Sequence, residues 1–380
     1  MDFQLTEEQL MIRDSARDLA QNVLIKGVIE RDRDMTYPEE GVKLMKELGF
    51  MGMMVSPEYG GGGMDTVSYV LAMEEISKVD ASCSVIMSVN NSLVCWGLET
   101  YASEEQKQKY LVPLASGEKI GAFCLSEPEA GSDATSQRTT AIDKGDHYVL
   151  NGTKNWITNG GKADTYLVIA QTDVDKGHRG INCLIVEKGM PGFQIGAKED
   201  KLGIRASDTH SLMFTDVIVP KENRIGPDGF GFKYAMKTLD GGRIGIASQA
   251  LGIASGAYEL ALDYSKVRKA FGKPISQHQA IQFKLADMAT EIEAARMLCL
   301  KAAWTKDQGL PYATEAAMAK MYASDVAMKH TVEAVQVHGG YGYVREYHVE
   351  RLMRDAKITQ IYEGTNEIQR LVIGRSILSK

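Results

Sequence analysis

The chain has 380 residues, 44% of them hydrophobic and 24% charged, a globular composition that excludes intrinsic disorder as the main state, because disordered chains lack the apolar surface to offset ordering entropy. Lys and Arg total 43 against 50 Asp and Glu, a net charge of −7, and without a basic block such a chain is a poor nucleic-acid binder. Its five cysteines, Cys83, Cys95, Cys124, Cys183 and Cys299, form no CxxC pair and stand at no metal-ligand spacing from a histidine, so neither a metal site nor a disulfide framework is expected and the thiols read as reduced and intracellular.

Residues 1–118 read as mostly helical. The start, MDFQLTEEQL, is acidic and polar, unlike a secretory signal or an Arg-rich transit peptide. Thr6 with Gln9 three residues on is a capping box, and Leu10, Ile12 and Ala16 follow at helical spacing. Helices are predicted over 41–48, 66–79 and 103–114, with the run Gly60–Gly63 as a loop. Residues 119–225 change texture. Short β-branched or alternating runs cover 147–150, 165–171, 180–186 and 211–219, separated by turn pairs such as Asn151-Gly152, Asn159-Gly160 and Pro191-Gly192. No helix-length period intervenes, so this zone reads as a β-barrel or small sandwich rather than a βαβ nucleotide fold. Residues 226–380 are helical again, with Ala-, Met- and Leu-rich runs over 242–267, 279–308, 312–337 and 365–378 that should pack as an up-down bundle. The longest apolar stretch begins at Ile244, but Ser248, Gln249, Ser255 and Glu259 interrupt it. It reads as a buried helix, not a membrane span of about 20 apolar residues.

Four strings carry candidate chemistry. The segment from Gly121 to Ala134, rich in small residues and ending in a Gly-Ser-Asp turn, is either a plain surface loop or a place where a cofactor approaches backbone amides. In Asn151–Gly160, Trp156 is either core or a ring that stacks on a planar group, with Thr158 as a nearby donor. In Gln336–Gly342 adjacent glycines stop a helix, and their bare backbone there can also approach a phosphate or a ring edge. In Ile361–Gln369 a new helix begins at Thr365, and Glu363 lies just ahead of it among Tyr362 and Gly364. That carboxylate either caps the helix or, if desolvated, has its pKa raised toward that of a useful base. The Rossmann fingerprint, the P-loop, HExxH and Gly-x-Ser-x-Gly are absent from the sequence.

Taken together, these strings resemble the acyl-CoA dehydrogenase family over essentially the whole chain, most closely its short-chain, butyryl-CoA-dehydrogenase-like branch. The resemblance is carried by Glu58-Tyr-Gly-Gly, Leu125-Ser-Glu-Pro-Glu-Ala-Gly-Ser-Asp, Asn151-Gly-Thr-Lys-Asn-Trp-Ile-Thr-Asn and Lys201-Leu-Gly-Ile-Arg-Ala-Ser. It continues in Leu239-Asp-Gly-Gly-Arg, Arg268-Lys-Ala-Phe-Gly-Lys-Pro-Ile, Gln336-Val-His-Gly-Gly-Tyr-Gly and Ile361-Tyr-Glu-Gly-Thr-Asn-Glu, all in one order. It implies an α+β, mostly α fold: an N-terminal helical domain (1–118), a central β-barrel domain (119–225) and a C-terminal four-helix bundle (226–380). It also implies one non-covalent FAD per subunit, a homotetramer built as a dimer of dimers, no bound metal and a bacterial cytoplasmic location, with a mature organelle matrix form as the alternative.

By the same resemblance, Phe123, Leu125 and Ser126 flank the flavin ring on one side and Trp156, Ile157 and Thr158 on the other. Arg268, Phe271, Gln279, Gln336, Gly339 and Gly340 reach the pyrophosphate and adenine end or the FAD of a neighbouring subunit, and Thr365 and Glu367 meet the phosphates and ribityl chain. For acyl-CoA, Ser132 lies near the pantetheine, Asp240 and Arg243 contact the CoA chain, Tyr362 borders the acyl pocket and Gly364 approaches the thioester. Glu363 becomes the catalytic base of an α,β-dehydrogenation, in which it takes the α-proton while the β-hydride passes to FAD and electrons leave to electron transferring flavoprotein. The acyl pocket is walled by residues 86–93, including Met87, Asn90 and Asn91, and is followed by Trp96, which shortens the pocket or fills the core. A straight short-chain acyl-CoA is the expected substrate. The alternatives are a branched, cyclic or aryl-substituted acyl-CoA, an oxidase that returns electrons to oxygen, and a non-catalytic flavin-binding homologue.

Overall fold

In the computed structural model, which describes residues 4–379, the N-terminal third is helical. Its helices are α1 (Glu7–Leu19), α2 (Val28–Asp34), α3 (Glu39–Glu47), α4 (Thr66–Val79), α5 (Ala81–Ser88), α6 (Trp96–Tyr101), α7 (Glu104–Gln106) and α8 (Val112–Ala115). The capping box forms as expected: Gln9 N donates to Thr6 Oγ1 at 3.2 Å and Thr6 N to Gln9 Oε1 at 3.1 Å. A wide π turn, Val89–Cys95, joins α5 to α6. Among the described residues, the helix long and apolar enough to cross a membrane is this one, Ala81–Tyr101, rather than the stretch after Ile244, and 94% of its apolar window is buried inside the protein.

The middle zone forms one eight-stranded sheet from β1 (Gly121–Cys124), β2 (Thr140–Asp143), β3 (His147–Thr158), β4 (Thr165–Gln171), β5 (Ile181–Glu187), β6 (Phe193–Lys198), β7 (Thr209–Pro220) and β8 (Arg224–Ile225). Pairing runs β6-β7-β3-β2-β4-β5-β8, with β1 added parallel to β4. The Asn151-Gly152 pair, expected as a turn, instead sits inside β3, where the register against β7 slips between Leu150 and Gly152. A bulge absorbs the irregular residue without ending the strand. A second slip, between Lys154 and Ile157, brackets Trp156, whose φ is +56°.

The C-terminal zone holds α9 (Gly231–Val267), α10 (Gln279–Asp307), α11 (Ala313–His338), α12 (His348–Thr359) and α13 (Asn366–Leu378). Helix α9 starts ahead of the predicted 242–267, so Gly241, Gly242 and Gly245 lie in its interior rather than at its start. Those glycines weaken helix propensity, and burial along the helix overrides it. Helix α12 has no counterpart among the predicted elements. One core cluster joins all three zones, from Val94 and Leu98 through Phe123, Leu167 and Ile185 to Ile244, Ala316 and Leu352.

Backbone contact between α9 and α4 depends on missing side chains. A Cβ on Gly256 would lie 2.9 Å from Lys78 Cα, and one on Gly252 would lie 2.5 Å from Ser77 Cβ. Gly256→Ala should therefore force the two helices apart and cost about 1–3 kcal/mol, as overpacking does. Urea unfolding followed by circular dichroism measures it, and an unchanged midpoint would contradict the close approach.

Candidate active site

The turn before α13 holds two successive residues in the left-handed region, Glu363 at φ +55° and Gly364 at φ +84°. Glycine adopts this conformation freely and glutamate does not, so surrounding bonds must hold Glu363 there. Gln369 Nε2 donates to Glu363 O at 3.1 Å and to Gly364 O at 2.8 Å. From α11, buried Lys320 Nζ donates to the same Gly364 O at 2.8 Å and to Asn366 Oδ1 at 3.0 Å. Gly364 O therefore faces Lys320 and Gln369. The cap of α13 is supplied by Thr365, whose hydroxyl accepts from Ile368 N, so Glu363 is not spent on capping. Its Oε2 is sealed from solvent and has no hydrogen-bond partner, and its own N–H donates to no described residue. Burial pushes the Glu363 carboxyl up to about 7, opposed by the nearby charges of Arg243 and Lys320. A glutamate held near neutrality with a free oxygen is suited to take a proton.

What that oxygen faces is the glycine stretch of α9. A Cβ on Gly242 would lie 2.5 Å from Glu363 Oε2 and 2.7 Å from Leu93 Cδ2. One helical turn on, a Cβ on Gly245 would meet Ser88 Oγ at 2.5 Å and Tyr69 OH at 2.6 Å, and those two hydroxyls bond each other at 2.9 Å. Positions 242, 245 and 249 share a helix face. Gln249 is the next side chain on it, fully buried, donating to Ala81 O at 2.8 Å and accepting from Tyr362 OH. Tyr69, Ser88, Gln249 and Tyr362 thus pack on this face beyond Gly242. Asp240 and Arg243 lie beside it and bond each other at 2.6 Å. Arg243 Nε has no partner among the described residues.

The expected pocket wall changes in detail. Asn90 and Asn91 are fully buried, and their amides bond backbone carbonyls. Asn90 Nδ2 donates to Met51 O at 2.8 Å and Leu114 O at 3.0 Å, and its Oδ1 accepts from Gly121 N at 2.9 Å. Asn91 Nδ2 donates to Phe50 O at 2.7 Å and to Met87 O at 2.9 Å. Trp96 is half-buried, edge-on to Tyr101 at 5.9 Å.

A second cluster joins Leu125 and Ser126 to the Trp156 bulge. Asn155 N donates to Ser126 O at 2.9 Å. Lys154, 0% exposed, donates to Leu125 O at 3.0 Å, Glu127 Oε1 at 2.7 Å and Gln137 Oε1 at 3.2 Å. Glu127 in turn accepts from Arg138 N at 2.5 Å and Thr139 N at 3.0 Å. Phe123 and Ile157 are buried, whereas Trp156 is 56% exposed. Core is thus excluded for Trp156, because the bulge turns its ring outward. Ser132 is exposed, in the loop that Asp133 organises through Thr135 and Ser136.

The remaining expected cofactor residues lie on the surface. Arg268, Gly339 and Gly340 line a cavity of about 690 Å³ with Tyr264, His338 and Tyr347, and Arg268 sits over the Tyr341 ring at 5.3 Å. Phe271 is 97% exposed, and Gln279, Gln336 and Glu367 are exposed as well. A Cβ at Gly339 or Gly340 would meet nothing within 4 Å, so their backbone is open to a ligand. Among the described residues, no group of His, Cys, Asp and Glu is arranged to hold a metal ion. Lys154, Gln249 and Lys320 were missed by the sequence reading. The available signal was a lysine flanked by alanine and methionine inside a helix run, Ala-Met-Ala-Lys320-Met, and a lysine within the Trp156 string.

Three family models cover the chain: the acyl-CoA dehydrogenase N-terminal domain at residues 6–118, middle domain at 122–217 and C-terminal domain at 229–378. A short-chain specific acyl-CoA dehydrogenase of Clostridium acetobutylicum is 54% identical over 377 residues, 99% of this chain and 100% of the relative. The structure of butyryl-CoA dehydrogenase from Megasphaera elsdenii matches with TM-score 0.98 at 52% identity, covering 100% of both chains. A chain in a structure described as the electron transferring flavoprotein of Acidaminococcus fermentans matches with TM-score 0.99 at 54% identity, again over 100% of both. PigA, solved with FAD and proline, matches with TM-score 0.95 at 30% identity over 99% of each chain.

Proposed function

The chain belongs to the acyl-CoA dehydrogenase family, and from that premise we propose that Glu363 is the base that removes the α-proton of a short-chain acyl-CoA held over Gly242. The activity is FAD-dependent α,β-dehydrogenation of the acyl thioester. The observation that carries the assignment of the base is the sealed, unpartnered Glu363 Oε2, with its carboxyl pushed up to about 7. Bound FAD supplies the hydride acceptor. This chain's part is to hold a carboxylate with one oxygen shielded from solvent and to meet the charge that develops on the thioester oxygen. The free N–H of Glu363 is the donor we assign to that oxygen, and one such donor is worth about 3–4 kcal/mol of transition-state stabilisation.

The residues present suit the cofactor. Leu125, Ser126 and Thr158, with the outward Trp156 ring, suit a flavin face, behind which Phe123 and Ile157 are buried. Arg268 and the open backbone of Gly339 and Gly340 suit a pyrophosphate, and exposed Phe271 suits an adenine. Because Phe271, Gln279 and Gln336 all face outward, we assign them, as the sequence did, to the FAD of a neighbouring subunit in a homotetramer. Exposed Phe271, Tyr343 and Leu378 support an assembly that covers them. Sedimentation of the FAD-loaded protein tests it. Thr365 and Glu367 stay as contacts to the phosphates and ribityl chain. Ser132, Asp240, Arg243, Tyr362 and Gly364 stay on the acyl-CoA side, with Asp240 now paired to Arg243. Electron transferring flavoprotein is the acceptor we propose, supported by the structural match described above. Five buried, unpaired cysteines fit a reducing compartment such as the cytoplasm.

Chain length, we propose, is set where side chains fill the α9 face beyond Gly242. From Gly242 to Gly245 the helix rises about 4.5 Å, and beyond that the Tyr69–Ser88 pair and Gln249–Tyr362 fill the face. Gln249→Ala should open it. The preference for hexanoyl- over butyryl-CoA in kcat/KM should then rise about tenfold, since each buried methylene is worth about 0.8 kcal/mol. An unchanged ratio would place the end of the pocket elsewhere.

A further inference from the structure

We propose that Lys320 is a positioning residue for the proton-abstracting turn: from α11 it fixes the carbonyl of Gly364 and, with Arg243, supplies positive charge against which the Glu363 carboxylate is held. The inference rests on the reading of Glu363 as the base. Lys320 is fully buried, and its two hydrogen-bond acceptors, Gly364 O and Asn366 Oδ1, are both neutral. Among the described residues it makes no ion pair. A buried ammonium without a carboxylate partner is expensive to keep. Its neighbours along the helix, Ala316, Ala317, Ala319 and Ala323, are buried and apolar, and folding alone would be served by an apolar or neutral side chain at this position. The turn it touches is the one that bears the buried anion.

Two cations face the base, and Lys320 is the one bonded to its turn. Arg243, on α9, is the larger of the two opposing charges on Glu363 and is itself paired with Asp240 at 2.6 Å. Asp325, the acidic neighbour on α11, accepts from Asn366 at 2.8 Å, from Gln360 at 2.7 Å and from Arg370 at 3.3 Å. Glu367, on α13, is exposed. Tyr69 on α4 and Tyr362 beside the base are both held neutral by burial. Burial drives the Lys320 ammonium down to about 7, and the charge that most opposes this is Glu363. Charge is balanced when both are ionised. As the reaction proceeds, the α-carbon–hydrogen bond breaks, its electron pair stays on the substrate and an O–H bond forms on Glu363. Lys320 exchanges no proton with the substrate in this step and stays bonded to Gly364 O and Asn366 Oδ1.

The test uses the FAD-loaded protein in three forms: parent, Lys320→Gln, which keeps an N–H donor but removes the charge, and Lys320→Arg, which keeps the charge. In Lys320→Gln the acid limb of kcat/KM against pH for butyryl-CoA should move up by about one unit, because the carboxylate loses a stabilising cation. In Lys320→Arg it should stay with the parent. A readout without turnover is the infrared band of the protonated carboxyl that Glu363→Gln removes, which should titrate at correspondingly higher pH in Lys320→Gln. A lowered melting temperature with an unmoved limb and an unmoved band would make Lys320 merely structural and overturn the inference alone. If the neutral variant does not fold, Lys320→Arg carries the test, and a limb displaced by a full unit there overturns it. Turnover by Glu363→Gln at the parent rate would instead remove the base reading, and this inference with it.

Discussion

Glu363→Gln should keep FAD bound and lose turnover. The change preserves volume and removes only the ability to accept a proton. A positioned general base contributes about 10²–10⁴-fold, so bleaching of the flavin by butyryl-CoA under anaerobic conditions should slow by that factor. The parent should show the matching pH dependence. The base works ionised, and burial holds its carboxyl up at about 7, so kcat/KM should fall as pH drops through about 7 rather than near the ordinary value of 4.5 for a glutamate. Flavin reduction at the parent rate in the variant would assign proton removal to another group. An acid limb near 4.5 would mean that Glu363 is solvated in the working enzyme.

Lys154→Met should be the most damaging single change away from the base. Lys154 and Glu127 are both buried, and the ammonium ties strand β3 to the carbonyl of Leu125. Removing one member leaves an uncompensated buried carboxylate, and breaking such a pair costs about 3–5 kcal/mol. The variant should unfold at lower denaturant concentration and release FAD, because the segments on both sides of the proposed flavin face lose their common tie. Replacing both partners, as in Lys154→Met with Glu127→Leu, should recover most of the stability. Chemical denaturation and flavin fluorescence measure the two effects separately. A single variant as stable as the parent would show that the pair carries little of the local structure.

Local features of this fold were readable in the chain. The Thr6–Gln9 box, the helix over 66–79 and the strand over 165–171 come out where periodicity and capping put them. These signals are local, because a cap or an alternating strand is made by residues that are neighbours in sequence. The misplaced boundaries also have a local cause. Gly241, Gly242 and Gly245 look like a helix start and Asn151-Gly152 looks like a turn, yet each lies inside a longer element whose partners outweigh its own propensity.

By itself, then, the sequence determined the order of helical, sheet and helical zones, the family strings and the identity of Glu363 as the candidate base. Only the tertiary structure decided that one oxygen of Glu363 is sealed from solvent, that a glycine of α9 lies in front of it, that Trp156 faces outward and that Asn90 and Asn91 hold backbone. The same holds for the pairing of Lys154 with Glu127 and for Lys320 on Gly364. Local conformation follows from adjacent side chains. The protonation of a carboxylate, the space beside it and the partner of a buried ammonium depend on which distant atoms packing brings within a few ångströms, and on whether water is left between them.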